Sequence, residues 1–157
     1  MSVTSFLNDI AIAGGLHAES RRLRFAVETG DPAWAVTADP QLLASAVMNL
    51  LNNAFKYTPP GGHVVLRARV HETRLLIEVE DECGGIPATG DDPFQSFGKR
   101  RGSDRTGLGL GLSIARKAVG AHGGDIHIRN IPGKGCVFTV DVPLAGEDAP
   151  VSPAPAR

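Results

Sequence analysis

A cluster of polar side chains lies between residues 49 and 57, where Asn49, Asn52 and Asn53 precede Lys56 and Tyr57. Asn49 and Asn53 are four residues apart, and Lys56 and Tyr57 follow Asn53 by three and four, so on a helix these four side chains share one face. Asparagine is a mediocre helix former, so three within five residues are locally unfavourable. The face could supply an amide oxygen to a hard cation, a lysine to a phosphate and a ring to a base. The alternative is a solvated polar face.

A second candidate is the segment DECGGIP at residues 81–87, which directly follows a predicted strand. The glycines after Asp81 would let a flat ligand approach the backbone while the carboxylate accepts hydrogen bonds from it. The alternative is a turn that merely ends the strand.

A third candidate is the glycine series Gly107, Gly109 and Gly111, which runs into a predicted helix. A helix N-terminus presents unpaired amide groups and the positive end of the helix dipole, so it suits an anion such as phosphate. The segment has no Gly-Lys-Ser/Thr ending and does not follow a strand, which excludes a P-loop and a Rossmann fingerprint. Close packing of the glycines is the alternative.

Apolar spacing and capping signals predict three helices. The first is short, over 4–12, broken by Gly14-Gly15 and followed by a polar turn over 16–22. The second starts at the pair Asp39-Pro40, a capping residue and a proline in the first turn, and runs to Pro59. The third covers 110–121 and ends at Gly123-Gly124.

Alternating apolar residues predict strands at 23–27, 34–36, 64–70, 75–79, 126–129 and 137–142. The segment 34–36 is predicted to be the return strand of 23–27. The last four strands form two hairpins that each follow a helix. The predicted fold class is therefore α+β, a two-layer α/β sandwich with a mixed, mainly antiparallel sheet and helices on one face.

Composition narrows the class of protein. A chain of 157 residues, 42% hydrophobic and 21% charged, with a net charge of −1, fits one globular domain and lacks the basic surface that binds nucleic acid. No apolar stretch approaches the roughly 20 residues that span a bilayer, so we expect no membrane contact by this segment. Two cysteines fit a reducing compartment, and we expect this segment to lie in the cytoplasm, either by itself or as the cytoplasmic part of a membrane-bound protein. The proline-rich segment 145–157 is predicted to be a disordered tail.

The order of these segments resembles the ATP-binding domain of histidine kinases, which belongs to the gyrase, chaperone, histidine-kinase and mismatch-repair ATPase superfamily. NLLNNAFKYTP at 49–59 is similar to the N box, DECGGIP to the G1 box and TGLGLGLSIA at 106–115 to the G2 box. PFQSF at 93–97 resembles the F box and GKGCVFTVDVPL at 133–144 the closing strand. The resemblance spans about residues 20 to 144. It implies a Bergerat-type fold, with the catalytic domain at 23–144 and a mobile lid at 88–106.

The resemblance also implies roles for individual residues. Asn53 would hold Mg²⁺ and act with Lys56 on the phosphates of ATP, and Asn49 would support this site from one turn earlier. Tyr57 would flank adenine, and Asp81 would accept hydrogen bonds from the adenine amino group. Gly85 would permit close approach of the nucleotide, Phe97 would anchor the lid, and Lys99 and Arg100 would reach the γ-phosphate. The remaining nucleotide contacts implied are Ile86, Thr106, Gly107, Leu108, Gly109, Leu110, Gly111 and Leu112.

Two departures from the family pattern bear on the chemistry. Hydrolases and serine kinases of the superfamily carry a glutamate as general base one turn before the metal asparagine, where this chain has Asn49. Because an amide cannot take a proton, the substitution favours a histidine acceptor, whose neutral imidazole is already nucleophilic. The first G1 glycine is replaced by Cys83, with Gly84 next to it. If that position needs a positive φ, cysteine costs about 1–2 kcal/mol and narrows the pocket.

The resemblance implies a two-component sensor histidine kinase that uses ATP and Mg²⁺, with a response regulator downstream. The five histidines all lack the sequence context of a phosphoacceptor: His17, His63, His71, His122 and His127. We therefore expect residues 1–22 to be a linker after an absent phosphoacceptor helix. The partner would be a dimerisation and histidine-phosphotransfer domain, in cis or in trans, and the isolated domain a monomer. The alternatives are a serine kinase of the anti-sigma type and a non-catalytic, nucleotide-gated interaction module.

Overall fold

The computed structural model describes residues 1–84 and 105–145, with side chains described at 1–84 and 112–145. Three helices are present in these residues, α1 (Val3–Ser20), α2 (Pro40–Tyr57) and α3 (Arg105–Gly120). They accompany five strands, β1 (Arg24–Glu28), β2 (His63–His71), β3 (Arg74–Glu80), β4 (Asp125–Ile131) and β5 (Gly135–Pro143). No helix in the described ranges is both long enough and apolar enough to cross a membrane.

The five strands form one mixed sheet in the order β1-β2-β3-β5-β4. β1 runs parallel to β2, and the other three neighbouring pairs are antiparallel. Alternate residues face opposite sides of a strand, so each strand offers one side to the helices. The predicted α+β fold with a mixed, mainly antiparallel sheet is confirmed.

The hydrophobic core lies between the sheet and the helices. α1 packs against β1 and α2, α2 against β3, and α3 against α2, β4 and β5. The buried strand residues that face these helices alternate along β2, β3 and β5: Val64, Leu66, Ala68, Leu75, Ile77, Val79, Cys136, Phe138, Val140 and Val142. The other face carries a group of charged residues, in which Arg67 contacts Glu78 at 3.1 Å and Glu80 at 3.0 Å.

The predicted start of α2 is confirmed. The Asp39 Oδ1 atom accepts hydrogen bonds from the amides of Gln41 (2.9 Å) and Leu42 (3.3 Å), and Pro40 is the first helical residue. Apolar residues at helical spacing are fully buried along one side of the helix. They are Leu43, Val47, Leu50 and Ala54. The helix ends at Tyr57, two residues before Pro59.

The predicted break in the first helix is wrong. α1 continues from Val3 to Ser20 through Gly14 and Gly15. A β-carbon on Gly14 would lie 3.3 Å from the ring of Phe25, so the missing side chain lets α1 approach β1 closely. Glycine in a helix costs about 1 kcal/mol relative to alanine, whereas each large apolar side chain buried contributes about 1.5–3 kcal/mol. Burial of Phe6, Leu7 and Ile10 therefore outweighs the two glycines.

The predicted return strand at 34–36 is also wrong. Ala35 forms only isolated bridges, to Ser2 and to Ala145, and β1 pairs with β2 instead. The amide of Val36 donates to the carbonyl of Met1 at 3.0 Å, so this short segment pairs with the chain start and with Ala145, two residues after the end of β5, rather than with β1.

α3 begins at Arg105 instead of the predicted Leu110. Gly107, Gly109 and Gly111 consequently lie inside the helix and not ahead of it. Three residues of the helix at spacings of three and four are fully buried in the core and hold it against the sheet: Leu112, Ala115 and Val119. This burial offsets the low helix propensity of the glycines.

Candidate functional site

The amide face predicted on α2 is present and partly open. Asn49, Asn53 and Tyr57 are half-buried, and Lys56 is exposed. Among the described residues, the side-chain amides of Asn49 and Asn53 form no hydrogen bonds, so both can serve a ligand. The Lys56 Nζ atom lies 5.8 Å from the centre of the Tyr57 ring, a cation–π contact at the end of the helix.

The end of α2 is held by residues that sequence reasoning assigned to a linker. The Arg21 guanidinium donates to the carbonyl oxygens of Phe55 (2.9 Å) and Lys56 (3.1 Å). A cation at a helix C-terminus satisfies the last carbonyls and complements the dipole. The His17 Nδ1 atom lies 3.1 Å from Asn52 Oδ1, on the side of α2 that faces α1. Asn52 therefore positions α2, whereas Asn49 and Asn53 remain available.

Asp81 is a buried carboxyl group at the end of β3. It follows Val79 by two residues and so continues the face of the strand that is covered by helices. Its Oδ1 atom accepts hydrogen bonds from the amides of Cys83 and Cys136, both at 3.1 Å. Burial raises the pKa of Asp81 to about 7, with a further contribution from the neighbouring Cys83. An acid held in this way is suited to accepting a hydrogen bond from a ligand.

One hydrogen bond joins the residue after α2 to the segment that carries Asp81, and a second joins that segment to β2. The Glu82 amide donates to Thr58 Oγ1 at 3.4 Å, and Thr58 and Glu82 directly follow Tyr57 and Asp81. The Glu82 carboxylate in turn accepts a hydrogen bond from the amide of His63 at 2.7 Å, at the start of β2. The residues that directly follow the aromatic end of the amide face and the buried carboxyl group are thus in contact.

The backbone of Asp81 approaches β5 closely at Gly135. A β-carbon at position 135 would overlap the carbonyl oxygen of Asp81. The Asp81 amide donates to the carbonyl of Cys136 at 3.0 Å, so this approach sets the position of the carboxyl group. Sequence reasoning missed Gly135, because its role depends on a strand pairing that no local pattern indicates.

We expect Gly135→Ala to lower the free energy of unfolding by about 2 kcal/mol or more, because the added methyl group must displace backbone. Urea unfolding of the whole chain measures the change. Gly15→Ala is the matched control, since nothing lies within 4 Å of its β-carbon position, and it should be neutral or stabilising by up to about 1 kcal/mol. A Gly135→Ala protein as stable as the wild type would contradict the proposed close approach.

The backbone strain foreseen at Cys83 is not present. Arg22 and Glu72 are the non-glycine residues with positive φ in the described part of the chain, and Cys83 is not among them. The left-handed conformation falls on Gly84, with a φ of +96°, and its amide donates to the carbonyl of Lys134 at 2.8 Å. The glycine displaced by one position therefore makes the turn, and cysteine is accommodated without a backbone penalty.

The sequence of the chain matches a known family profile over residues 38–146, described as histidine kinase-, DNA gyrase B-, and HSP90-like ATPase. The chain belongs to this ATPase family. The matched range includes α2, α3 and the segment that follows β3. It therefore contains the elements that carry the candidate site.

Curated relatives in this ATPase family are sensor kinases. The chain is 35% identical over 130 residues to the alginate biosynthesis sensor protein KinB of Pseudomonas aeruginosa, covering 80% of this chain and 21% of KinB. It is 40% identical over 118 residues to the sensor histidine kinase WalK of Bacillus subtilis, covering 71% of this chain and 19% of WalK. The chain thus spans about a fifth of the length of these two relatives.

Solved structures of the same ATPase family share the fold. Full-length ShkA in complex with AMPPNP matches with a TM-score of 0.77 and 26% identity, over 96% of this chain and 32% of ShkA. The catalytic domain of the histidine kinase ThkA matches with a TM-score of 0.76 and 24% identity, over 91% of this chain and 92% of that domain. The fold is therefore that of a histidine kinase catalytic domain, as the sequence motifs predict.

The predicted site residues that follow Asp81 fall into three groups. Gly85, Ile86, Phe97, Lys99 and Arg100 lie outside the described residues, as does the predicted lid except for 105–106. Leu112 lies in the core with 0% of its surface exposed. The others are in the first turns of α3, where only the backbone is described: Thr106, Gly107, Leu108, Gly109, Leu110 and Gly111. The amides without partners inside a helix that starts at Arg105 belong to residues 105–107.

Proposed function

We propose that this chain is the ATP-binding catalytic domain of a two-component sensor histidine kinase. In this role it binds Mg·ATP and donates the γ-phosphoryl group to a histidine on a dimerisation and phosphotransfer domain, in cis or in trans. A response regulator then receives the phosphoryl group. The observation that carries the proposal is the buried Asp81 carboxyl group, joined through Glu82 and Thr58 to the end of the open amide face of α2.

Each part of ATP has a group of suitable chemistry in this arrangement. The Asp81 carboxyl group accepts hydrogen bonds from the adenine amino group, and the half-buried ring of Tyr57 flanks the base. The Lys56 ammonium group meets phosphate oxygens. Amide oxygens are ligands that Mg²⁺ accepts, and the amides of Asn49 and Asn53 have no competing hydrogen bond within the described residues, so the amide face fits the metal. A Mg²⁺ ion held by these amides would neutralise charge on the phosphates.

The amide at Asn49 favours a histidine as the phosphoacceptor. A hydrolase or a serine kinase needs a general base to remove a proton from water or from a hydroxyl group. Asn49 cannot act in this way, whereas the lone pair of a neutral imidazole attacks phosphorus directly and ADP departs as the Pγ–O bond breaks. Catalysis by this chain then consists of positioning ATP and neutralising its charge.

Phosphotransfer from labelled ATP tests the proposal. The chain is mixed with Mg·ATP labelled in the γ-phosphoryl group and with a purified dimerisation domain that carries a phosphoacceptor histidine, and a variant of that domain without the histidine is the control. We expect an acid-labile, base-stable label on the histidine-bearing domain alone. Acid-stable phosphoserine would favour the serine-kinase alternative. Micromolar ATP binding with no transfer would favour the interaction module.

A further inference from the structure

Two thiols and a carboxyl group converge where β3 and β5 meet. The Sγ atoms of Cys83 and Cys136 lie 3.8 Å apart. One carboxylate oxygen of Asp81 completes a group whose three ligand atoms all lie within 4.8 Å of one another. Cys136 and Asp81 are buried and Cys83 is half-buried, so the cluster is enclosed on one side and reachable on the other.

Backbone pairing holds the two thiols in place. Glu80 is opposite Val137 in the β3–β5 pairing, and the pairing continues past the strand end, where the Asp81 amide donates to the Cys136 carbonyl at 3.0 Å. On the far side of Cys83, the Gly84 amide donates to the Lys134 carbonyl at 2.8 Å. Hydrogen bonds therefore flank the thiol pair on both sides, although the cysteines are 53 residues apart in the sequence.

The spacing of the sulfur atoms matches the edge of a tetrahedral metal site. With metal–sulfur bonds of about 2.3 Å and tetrahedral angles, two thiolate ligands lie about 3.8 Å apart. We propose that Cys83, Cys136 and Asp81 bind a thiophilic divalent cation of the zinc class. These three ligands, all from the described part of the chain, leave one position of the tetrahedron for a further ligand. Binding replaces the two thiol protons by the metal and requires Asp81 as its carboxylate, so each cation bound releases two protons from the thiols and any proton that Asp81 carries.

Cobalt provides the probe, because tetrahedral Co²⁺ with thiolate ligands absorbs strongly in the visible range. Zn²⁺ has no such absorption, so its displacement of Co²⁺ removes the bands. The whole chain is reduced, kept anaerobic without chelating buffers or nucleotide, and titrated with Co²⁺. We expect one equivalent to develop the tetrahedral bands and one equivalent of Zn²⁺ to remove them. A reduced chain that shows no such bands, or only the weak bands of octahedral Co²⁺, overturns the proposal.

Single substitutions test the ligands. Cys83→Ser and Cys136→Ser should each weaken Co²⁺ binding about 10- to 100-fold, as loss of a ligand does. Lys134→Gln is the control: it changes an exposed side chain two residues before Cys136 and outside the cluster, so this variant should bind Co²⁺ as the wild type does. Circular dichroism checks that each variant is folded. If Cys136→Ser fails to fold, the half-buried Cys83→Ser decides, and unchanged bands in that variant overturn the ligand set.

Metal binding would regulate the nucleotide site, a consequence that rests on the proposed role of Asp81. A cation on the Asp81 carboxylate removes the acceptor for the adenine amino group, so one equivalent of Zn²⁺ should lower the affinity for adenosine about tenfold or more. The Co²⁺ titration contains no nucleotide, so its outcome is independent of the kinase proposal. If Zn²⁺ binds and the affinity for adenosine stays the same, the regulatory consequence is overturned. If the metal-free chain does not bind adenosine at all, that result counts against the proposed role of Asp81.

Discussion

Asp81→Asn is expected to weaken ATP binding about 10- to 100-fold and at the same time to stabilise the fold above pH 7. In the variant, the amide oxygen keeps the two hydrogen bonds from the amides of Cys83 and Cys136. The amide nitrogen then takes the place of the second carboxylate oxygen. A donor would face the adenine amino group, which is itself a donor, so base recognition is lost. Calorimetric titration with ATP and with adenosine measures the effect, and both ligands should lose the same factor.

The stability change follows from the pKa of Asp81. Burial raises this pKa from 3.8 to about 7 in the folded chain. Between these two values the folded state binds more protons than the unfolded state, so the stability contribution of Asp81 is lost as the pH rises from about 4 to about 7. Asparagine carries no charge to bury, so the variant escapes this loss. The expected gain in the free energy of unfolding near pH 8 is at most about 4 kcal/mol and vanishes near pH 4.

Urea unfolding of both proteins near pH 5 and near pH 8 checks the sign. Glu78→Gln is the contrasting control, because Glu78 is also buried but pairs with Arg67 at 3.1 Å and Arg69 at 2.8 Å on the opposite face of the sheet. Removing that charge should lower stability by about 1–3 kcal/mol and leave ATP affinity unchanged. An Asp81→Asn protein that binds adenosine as the wild type does would contradict the proposed base contact.

Asn53→Ala is expected to remove the Mg²⁺ dependence of ATP binding. The half-buried amide is the proposed metal ligand, so the variant should bind ATP at least about 10-fold more weakly in Mg²⁺ than the wild type does. In EDTA the two proteins should bind ATP equally. Alanine is the better helix former, so the free energy of unfolding should stay the same or rise by about 0.5 kcal/mol. Calorimetric titration with ATP, once in Mg²⁺ and once in EDTA, measures both affinities. It separates loss of the metal ligand from a general loss of the binding site.

Asn52→Ala is the matched control for this experiment. Asn52 is the adjacent residue on the same helix, but its amide contacts His17 at 3.1 Å on the side that faces α1. We expect this variant to keep Mg²⁺-dependent ATP binding. Equal loss in the two variants would mean that the effect comes from α2 as a whole, and full retention in Asn53→Ala would exclude Asn53 as the metal ligand.

Patterns confined to neighbouring residues were sufficient for much of this molecule. Asp39 and Pro40 define the start of α2 because a cap and its amides lie within three residues. The β2–β3 and β4–β5 hairpins follow from alternation and short turns. The three nucleotide motifs are local as well, and the family match over 38–146 agrees with them.

Features that depend on contacts between distant segments were not accessible in this way. The glycines at 14 and 15 predict a helix break from local propensity, but α1 continues because its apolar side chains are buried against β1 and α2. Likewise, β1 pairs in parallel with β2 across 39 residues, where no turn pattern exists to predict the partner. The free energy gained by burying apolar side chains exceeds the differences in secondary-structure propensity. Which side chains are buried depends on contacts between distant segments, which form only on folding.

The features of the candidate site can likewise be separated into those set by neighbouring residues and those set by contacts between distant segments. Residue types and spacing along the chain were enough to predict an amide face, an acid at a strand end and glycines near a helix, because each lies within one element. The pairing of β3 with β5 decided the rest: it buries Asp81, raises its pKa, requires Gly135 and brings Cys83 to Cys136. Strand pairing is a long-range interaction, so the environment of a side chain at such a junction exists only in the folded chain.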